Sequence, residues 1–192
     1  MTLPRDWAIT SDPSIEPITT SDMKDHIKVD ISDDDDLIDT YTSSARQYVE
    51  DIMGRQFISA TWTLYYDSFP TVITVPRPPL QSVTSIQYYD TDGVLQTLSS
   101  AIYTADTTSQ PGRIVEAYSQ VWPSTRDIPN AVIVTVVAGY GATAADVPAK
   151  IKQAIKLMVG HWYENREQTQ IIDMKELPKA VESLIWTDRV WL

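Results

Sequence analysis

The spacing of apolar residues, which changes twice along the chain, is the feature that most constrains the fold. Around residues 33–53 apolar side chains recur every three or four positions, the spacing of one face of a helix. Between about residues 60 and 140 they alternate with polar residues, as in a strand with two unlike faces. The helical spacing then returns. The sequence therefore predicts an α+β fold, in which a small helical bundle carries a central antiparallel β insertion.

Helices are predicted from this spacing and from the residues that begin and end helices. Thr19 and Asp22 have the spacing of a capping box at the start of the first helix. Ser32 or Asp33 is expected to cap the second helix, and Gly54 is expected to end it. The predicted helices lie near residues 20–28, 33–53, 147–167 and 178–187.

Gly160 lies inside the third predicted helix, where a glycine costs about 1 kcal/mol relative to alanine. We expect close packing against a neighbouring backbone to offset this cost. The helix over residues 33–53 is the expected neighbour.

Short strands separated by turn residues are predicted throughout the β insertion. The segment Asp90-Thr91-Asp92-Gly93 is typical of a hairpin loop between two of these strands. The strands are expected at residues 61–67, 72–75, 82–89, 94–98, 101–105, 113–117 and 131–137.

The predicted organisation has three parts. Residues 1–18 contain three prolines and little periodicity, so we expect an extended N-terminal arm. Residues 19–167 are expected to form the helical domain, with the β insertion at about 60–140. Residues 168–192 are expected to form a C-terminal docking tail.

The composition excludes several classes of function. The 192 residues contain no cysteine, so disulfides, thiolate metal sites and cysteine nucleophiles are excluded. Asp plus Glu total 26 and Lys plus Arg total 15, which gives a formal net charge of −11. Since DNA binding depends on clustered positive charge, we expect no tight binding to nucleic acid. The most apolar stretch, residues 131–138, is far shorter than the roughly 20 residues of a transmembrane helix, so no membrane partner is expected.

The search for catalytic and metal-binding motifs is largely negative. Gly139-Tyr140-Gly141 follows a predicted strand but lacks the third glycine and the lysine of phosphate-binding loops. His161 and Glu164 share a helix face, but nothing supplies the further ligands that a metal site needs. No serine stands in a nucleophile elbow. The sequence therefore predicts no catalytic residue, no metal and no cofactor, and a protein that is not an enzyme.

The acidic run of Asp33, Asp34, Asp35 and Asp36 is expected on the first turn of the second helix. The positive end of the helix dipole favours carboxylates there, so a solvated helix start is the simplest interpretation. The run lacks the central glycine and closing glutamate of a calcium-binding EF-hand loop. The alternative is an acidic surface that faces DNA or contacts a neighbouring subunit.

Aromatic residues are abundant enough to raise the question of a ligand-stacking surface, with 6 tryptophans and 10 tyrosines. Trp62, Tyr66 and Trp162 fall on apolar stripes, which predicts core packing. The alternative is a carbohydrate or small-ligand-binding β module that uses Trp62, Tyr65 or Tyr88.

The last segment of the chain is short and strongly apolar, with little core of its own. A helix of this length is marginal alone, so the segment must dock on something. Exposed aromatic anchors such as Trp186 and Trp191 are typical hot spots of interfaces, which favours docking on a partner, with packing on its own domain as the alternative. The predicted docking residues are Leu177, Pro178, Val181, Leu184, Ile185, Trp186, Val190, Trp191 and Leu192.

An ordered set of short segments, spread over most of the chain, carries a family resemblance. The first are Pro17-Ile18-Thr19, Lys24, Ile27-Lys28-Val29, Asp34-Asp35-Asp36-Leu37-Ile38, Ala45-Arg46, Val49-Glu50 and Gly54-Arg55. In the β insertion they are residues 62–70, residues 76–86, Tyr103, Trp122-Pro123 and residues 136–141. The last are Val147-Pro148, Ile151, Ala154-Ile155, residues 161–167, residues 177–181 and Leu184. In this order they resemble the head-tail connector, or adaptor, proteins of long-tailed bacteriophages and gene transfer agents, from which the ending at residues 186–192 departs.

The resemblance implies a structural protein of the virion neck, made in the bacterial host cytoplasm, that joins the DNA-filled head to the tail. It implies a ring of about twelve copies beneath the portal. The implied partners are the portal protein, a stopper or tail-completion protein, and further copies of this chain. The resemblance also implies that DNA passes through the ring without specific binding. Another neck or tail-completion (stopper) protein is the nearest alternative role, and the family has no catalytic residues.

Overall fold

The computed structural model describes residues 3–165 and 179–190, which form two compact units. The β unit comprises residues 3–13 and 59–140, and the helical unit comprises residues 14–58, 141–165 and 179–190. The helical unit is thus assembled from segments on both sides of a long β insertion, and the predicted α+β class is confirmed.

The helices of the helical unit bury apolar faces whose residues recur at the predicted helical spacing. In the described residues they are α1 (Thr20–Ile27), α2 (Asp35–Met53), α3 (Ala149–Glu164) and α4 (Lys179–Ile185). A short 3-10 turn, Trp186–Asp188, follows α4. The core of the unit includes Met23, Ile38, Ala45, Val49, Met53, Ile151, Ala154, Ile155, Met158, Val159, Val181 and Ile185.

The helix ends follow the predicted signals, with one difference. The Thr19 hydroxyl accepts a hydrogen bond from the backbone N–H of Asp22 at 3.1 Å and caps α1. Gly54 ends α2 in the left-handed conformation, with φ of 64°. The prediction that Ser32 or Asp33 caps α2 is wrong. The N-cap position is Asp34, because its carbonyl accepts the first helical hydrogen bond.

The prediction that Gly160 packs tightly against α2 is also wrong. A Cβ atom at Gly160 would lie 3.8 Å from His26 Nε2 and 3.8 Å from Ile27 Cγ2, at the end of α1. These are ordinary van der Waals distances. α3 does pack on α2, where Trp162 meets the ring of Tyr41 edge-on with centroids 6.1 Å apart.

The β unit contains two antiparallel sheets. The larger has the strand order β1-β2-β8-β4-β5, and the smaller has the order β3-β7-β6. The strands are β1 (Asp6–Ser11), β2 (Ala60–Tyr66), β3 (Ile73–Thr74), β4 (Leu80–Tyr89), β5 (Leu95–Thr97), β6 (Tyr103–Asp106), β7 (Arg113–Glu116) and β8 (Val132–Ala138).

The core of the β unit is one cluster shared by both sheets. β8 buries every second residue, as the alternation in its sequence predicts. Ile73 and Ile114 of the smaller sheet join the same cluster as Leu64, Ile86 and Val134 of the larger one. The two sheets therefore share a single apolar core.

Two details of the β unit differ from the sequence prediction. β1 lies within the predicted extended arm and pairs with β2, placing Trp7 opposite Leu64. All of its residues are exposed, so neither face of the strand is selected to be apolar. Its sequence therefore shows no alternation from which a strand could be predicted. The strand predicted from residue 101 starts as a 3-10 turn, Ser100–Ile102, and becomes extended at Tyr103. The predicted hairpin joins β4 to β5, with Gly93 at φ of 83°.

Candidate functional site

α4 divides the predicted docking residues into buried and exposed ones. Val181 and Ile185 are buried in the core of the helical unit. Leu184 is half-buried, and Trp186, just after the helix, is 54% exposed. The described part of the tail thus packs one face on its own unit and presents Trp186 to solvent. The predicted docking residues that lie outside the described residues are Leu177, Pro178, Trp191 and Leu192.

Polar contacts hold the chain that follows α4. The backbone N–H of Val190 donates to the carbonyl of Met53 at 2.8 Å. Arg55 Nε donates to the backbone carbonyl of Asp188 at 2.5 Å, and the Asp188 carboxylate pairs with the Lys150 ammonium. These contacts reach the end of α2 and the start of α3. The backbone that carries the exposed indole is therefore fixed.

The acidic run at residues 33–36 is partly used to join helices. The Asp34 carboxylate accepts a hydrogen bond from the Tyr163 hydroxyl at 2.5 Å. The Asp35 carboxylate accepts one from the Lys24 ammonium at 2.7 Å. The first and last residues of the run are exposed. The two central carboxylates thus tie α3 and α1 to the start of α2, and the outer two are exposed.

A buried polar network around Glu50 was not predicted. Its carboxylate accepts hydrogen bonds from Arg46 at 2.7 Å, from the Gln56 side chain at 2.8 Å and from the Phe57 backbone at 2.8 Å. Arg46 also donates to Glu16 at 2.7 Å. Burial opposes the charge on Arg46, but the hydrogen bonds and charges of Glu16 and Glu50 outweigh it and raise its pKa. The i, i+4 spacing of Arg46 and Glu50 is visible in the sequence, whereas their burial is not.

The aromatic residues of the alternative carbohydrate site do not form a common exposed surface. Trp62 is in the core, with the Arg77 guanidinium 5.6 Å from its ring centroid. Tyr65 lies on the opposite face of β2, because successive side chains in a strand alternate. Tyr88 packs edge-on against Phe69, with centroids 5.6 Å apart. A stacking platform for a sugar is therefore not favoured.

The glycine-containing segment after β8 is not arranged as a phosphate loop. The Asp146 carboxylate fills the space beside Gly141 and accepts a hydrogen bond from the Thr143 backbone at 2.9 Å. A carboxylate in this position repels a phosphate group.

No metal centre is found in the part of the chain that the structure describes. His161 and Glu164 lie in the last turns of α3, where His161 Nδ1 is 3.4 Å from the Asn165 side-chain nitrogen. Within residues 3–165 and 179–190, no group of three or more His, Asp or Glu residues is arranged to hold a metal ion. No helix among these residues is both long enough and apolar enough to cross a lipid bilayer.

Several carboxylates with shifted pKa values belong to turns. Asp106 accepts hydrogen bonds from the Ser109 hydroxyl at 2.6 Å and from Arg113 at 2.7 Å, and these bonds hold its pKa well below the usual range. Side-chain hydrogen bonds also lower the pKa values of Asp90 and Asp146. Each of these carboxylates closes a local turn, which is a structural role.

The sequence matches the family of head completion proteins over residues 16–185, nearly the whole chain. The chain belongs to the head completion protein family. This membership confirms the resemblance inferred from the ordered segments and identifies a structural protein of the head-tail connector type.

Solved structures from gene transfer agent particles have the same fold. A chain from the neck of the empty particle, computed with C6 symmetry, has a TM-score of 0.81 and 21% sequence identity, and the match covers 97% of this chain and 96% of that one. A chain from the neck of the native particle, computed with C12 symmetry, and one from the native virion each give a TM-score of 0.77 at the same identity and coverage. A search of curated protein sequences gave no match to this chain.

Proposed function

We propose that this protein is a head-tail connector that assembles as a ring in the neck of a virion and joins the DNA-filled head to the tail. The match to the head completion family over residues 16–185 carries the proposal. The shared fold with chains from gene transfer agent necks supports the location, and the C6 and C12 symmetry of those necks supports a ring. In this role the protein is structural and performs no catalysis.

The proposed ring contains about twelve copies of the chain, and one contact between neighbours repeats around it. Its partners are the portal protein on the head side and a stopper or tail-completion protein on the tail side. The C12 symmetry of the similar neck supports this number.

DNA passes through the proposed ring without specific binding. A net charge of −11 per copy repels phosphate, an effect that is screened beyond about 8 Å at physiological salt. Asp33 and Asp36, the exposed ends of the acidic run, are candidates for a surface that faces DNA or contacts a neighbouring copy, whereas Asp34 and Asp35 act mainly within the subunit.

The C-terminal tail docks on the portal in this proposal. Trp186 is the described residue best placed to make the contact, because it is 54% exposed on a fixed backbone. Leu184, two residues earlier, is half-buried. Val181 and Ile185 position this surface from the core. Exposed aromatic anchors that need little ordering are typical interface hot spots.

Co-sedimentation with isolated portal rings tests the proposal. We expect the full-length chain to bind at about one copy per portal subunit, because the proposed ring and the portal ring would contain similar numbers of subunits. Trp186→Ala is expected to weaken binding by about tenfold or more. A substitution is preferable to deleting the tail, because deletion also removes Val181 and Ile185 from the core.

Tyr48→Ala is the matched control, since Tyr48 is an aromatic residue on α2 that is 43% exposed. Failure of the full-length chain to bind any portal ring contradicts the proposed function. Unchanged binding by the Trp186 variant contradicts only the role of the tail.

A further inference from the structure

The turn after β7 presents two apolar side chains to solvent. Tyr118 is 98% exposed and Val121 is 77% exposed, the largest fractions among the big apolar side chains of the described residues. Neither side chain contributes to the core of the β unit. An aromatic and an aliphatic residue on one exposed turn form an apolar knob, which we define as residues 118–121.

Hydrogen bonds hold the backbone of the knob in a defined conformation. The Gln120 N–H donates to the Ala117 carbonyl at 2.9 Å and closes the turn. Ser119 has a left-handed φ of 59°. The Ala117 N–H donates to the Ile102 carbonyl at 2.9 Å, which ties the turn to the smaller sheet. Little backbone ordering is therefore needed when the knob binds a partner.

Trp122, the residue that follows the knob, is also held in place. Trp122 stacks on Phe69, with ring centroids 4.8 Å apart and planes 3° from parallel. Its backbone N–H donates to the Glu116 carboxylate at 2.7 Å. The knob thus projects from a rigid base.

A groove of about 610 Å³ lies on the same unit, beside the turn that precedes β7. Val72 and Pro111 give it apolar walls, Thr71 and Ser109 add hydroxyl groups, and Arg113 presents a half-exposed guanidinium. A tyrosine suits this lining, because its ring packs on apolar groups or a guanidinium and its hydroxyl needs a hydrogen-bond partner.

Charge favours a contact between these two surfaces. Residues 117–125 contain no charged side chain, although the whole chain has a net charge of −11. Arg113 is the one cation in the groove lining, and its guanidinium is paired with the Asp106 carboxylate at 2.7 Å, so the two charges offset each other. Copies with a large like charge repel, so their contacts are most favourable between patches that carry little net charge.

We propose that the knob of one copy inserts Tyr118 into the groove of the next copy around the ring. The knob and the groove are different patches of one β unit, so the contact is heterologous and repeats from copy to copy until the ring closes. This inference rests on the proposed function, because it names the contact that builds the ring.

Assembly of a Tyr118→Ala variant is the first test. The particle mass of the full-length protein is measured alone and on portal rings, for the wild type, for Tyr118→Ala and for the control Tyr48→Ala. We expect the Tyr118 variant to assemble about tenfold or more weakly, and the control to assemble normally. The melting temperature of the Tyr118→Ala variant should equal that of the wild type, because a side chain that is 98% exposed makes little contribution to the folded core.

Disulfide trapping is the second test and uses the absence of cysteine in the chain. Tagged Ser119→Cys protein, which keeps Tyr118, is mixed with untagged Thr71→Cys protein and oxidised under assembly conditions. A tagged–untagged dimer is expected, since a disulfide forms only when the two Cα atoms come within about 7 Å. The control pair is Ser119→Cys with Thr97→Cys, at an exposed position on β5. It should give no such dimer.

The outcomes separate the inference from the proposed function. If wild-type rings form while Tyr118→Ala assembles normally and no cross-link appears, the knob-and-groove contact is overturned and the connector ring stands. If the wild-type chain associates neither alone nor on portal rings, both are overturned.

Discussion

Two glycines of the helical unit have opposite steric requirements. Gly54 has a φ of 64°, and a Cβ atom there would lie 3.1 Å from the Val190 carbonyl oxygen. Gly160 is within a helix, and the nearest atoms to its added Cβ are 3.8 Å away. Of these two glycines, only Gly54 therefore needs to lack a side chain.

We expect alanine at these two positions to change stability in opposite directions. Gly160→Ala should raise the free energy of unfolding by about 0.5–1 kcal/mol, because alanine favours the helix and restricts the unfolded chain. Gly54→Ala should lower it by about 1 kcal/mol or more, because the left-handed backbone and the Val190 contact are both strained. Urea unfolding of both variants measures the difference. Destabilisation by Gly160→Ala would show that α1 and α3 lie closer than the structure indicates.

Asp106 gives the fold a specific pH dependence. Hydrogen bonds from Ser109 and Arg113 hold its pKa below the ordinary value of 3.8. A carboxyl with a lower pKa in the folded state stabilises the fold above its unfolded pKa, and this contribution is lost as pH falls through the folded pKa. Asp106→Asn should therefore destabilise the protein near neutral pH, and its difference from the wild type should shrink as the pH falls below 3.8.

Urea unfolding at several pH values tests this expectation. Asp127→Asn, an exposed position in the same unit, is the control. A difference between Asp106→Asn and the wild type that grows on acidification would contradict the assignment.

At the level of elements, the short helix α4 packs two side chains into the core and places an exposed tryptophan directly after its last residue. Its buried residues complete the core of the helical unit, and the residue that follows it is exposed. A helix this short is not stable alone, so its order depends on the buried side chains. The surface it presents is thus fixed by the packing behind it.

Substitutions on the two faces of this segment should have different effects. Ile185→Ala is expected to lower the free energy of unfolding by about 2–5 kcal/mol through lost burial and a cavity. Trp186→Ala should lower it by less, about 1–2 kcal/mol, since about half of the side chain is exposed. Chemical denaturation measures both. A large destabilisation by Trp186→Ala would instead make this residue part of the core.

At the scale of the whole molecule, net charge acts against assembly. Each copy has a formal charge of −11, and neighbours in a ring are closer than the distance over which salt screens. The proposed contacts between copies must therefore overcome repulsion. An uncharged knob and a groove whose one cation is paired with Asp106 meet that need.

Ring formation should become more favourable as salt increases. Raising ionic strength from about 0.05 to 0.5 M shortens the screening length and weakens the repulsion between copies. Mass photometry across this range should show a rising fraction of assembled protein. Dissociation by salt would indicate that ion pairs between copies, and not apolar contacts, hold the ring.

The sequence by itself determined which segments are helices and which are strands. Apolar residues on one face recur at the period of the element, so α2 and β8 were predicted to within a few residues. Residues with local conformational roles, such as Thr19 and Gly54, also marked helix ends. The ordered short segments were sufficient to indicate the family.

Only the tertiary structure decided which side chains are covered where no periodic pattern marks them. All residues of β1 are exposed, and the strand forms because it pairs with β2. The spacing in α4 did not show that Ile185 is buried while Trp186 is exposed, nor did the turn sequence single out Tyr118. The physical reason is that backbone period is a local property, whereas burial depends on which distant segment packs against a residue.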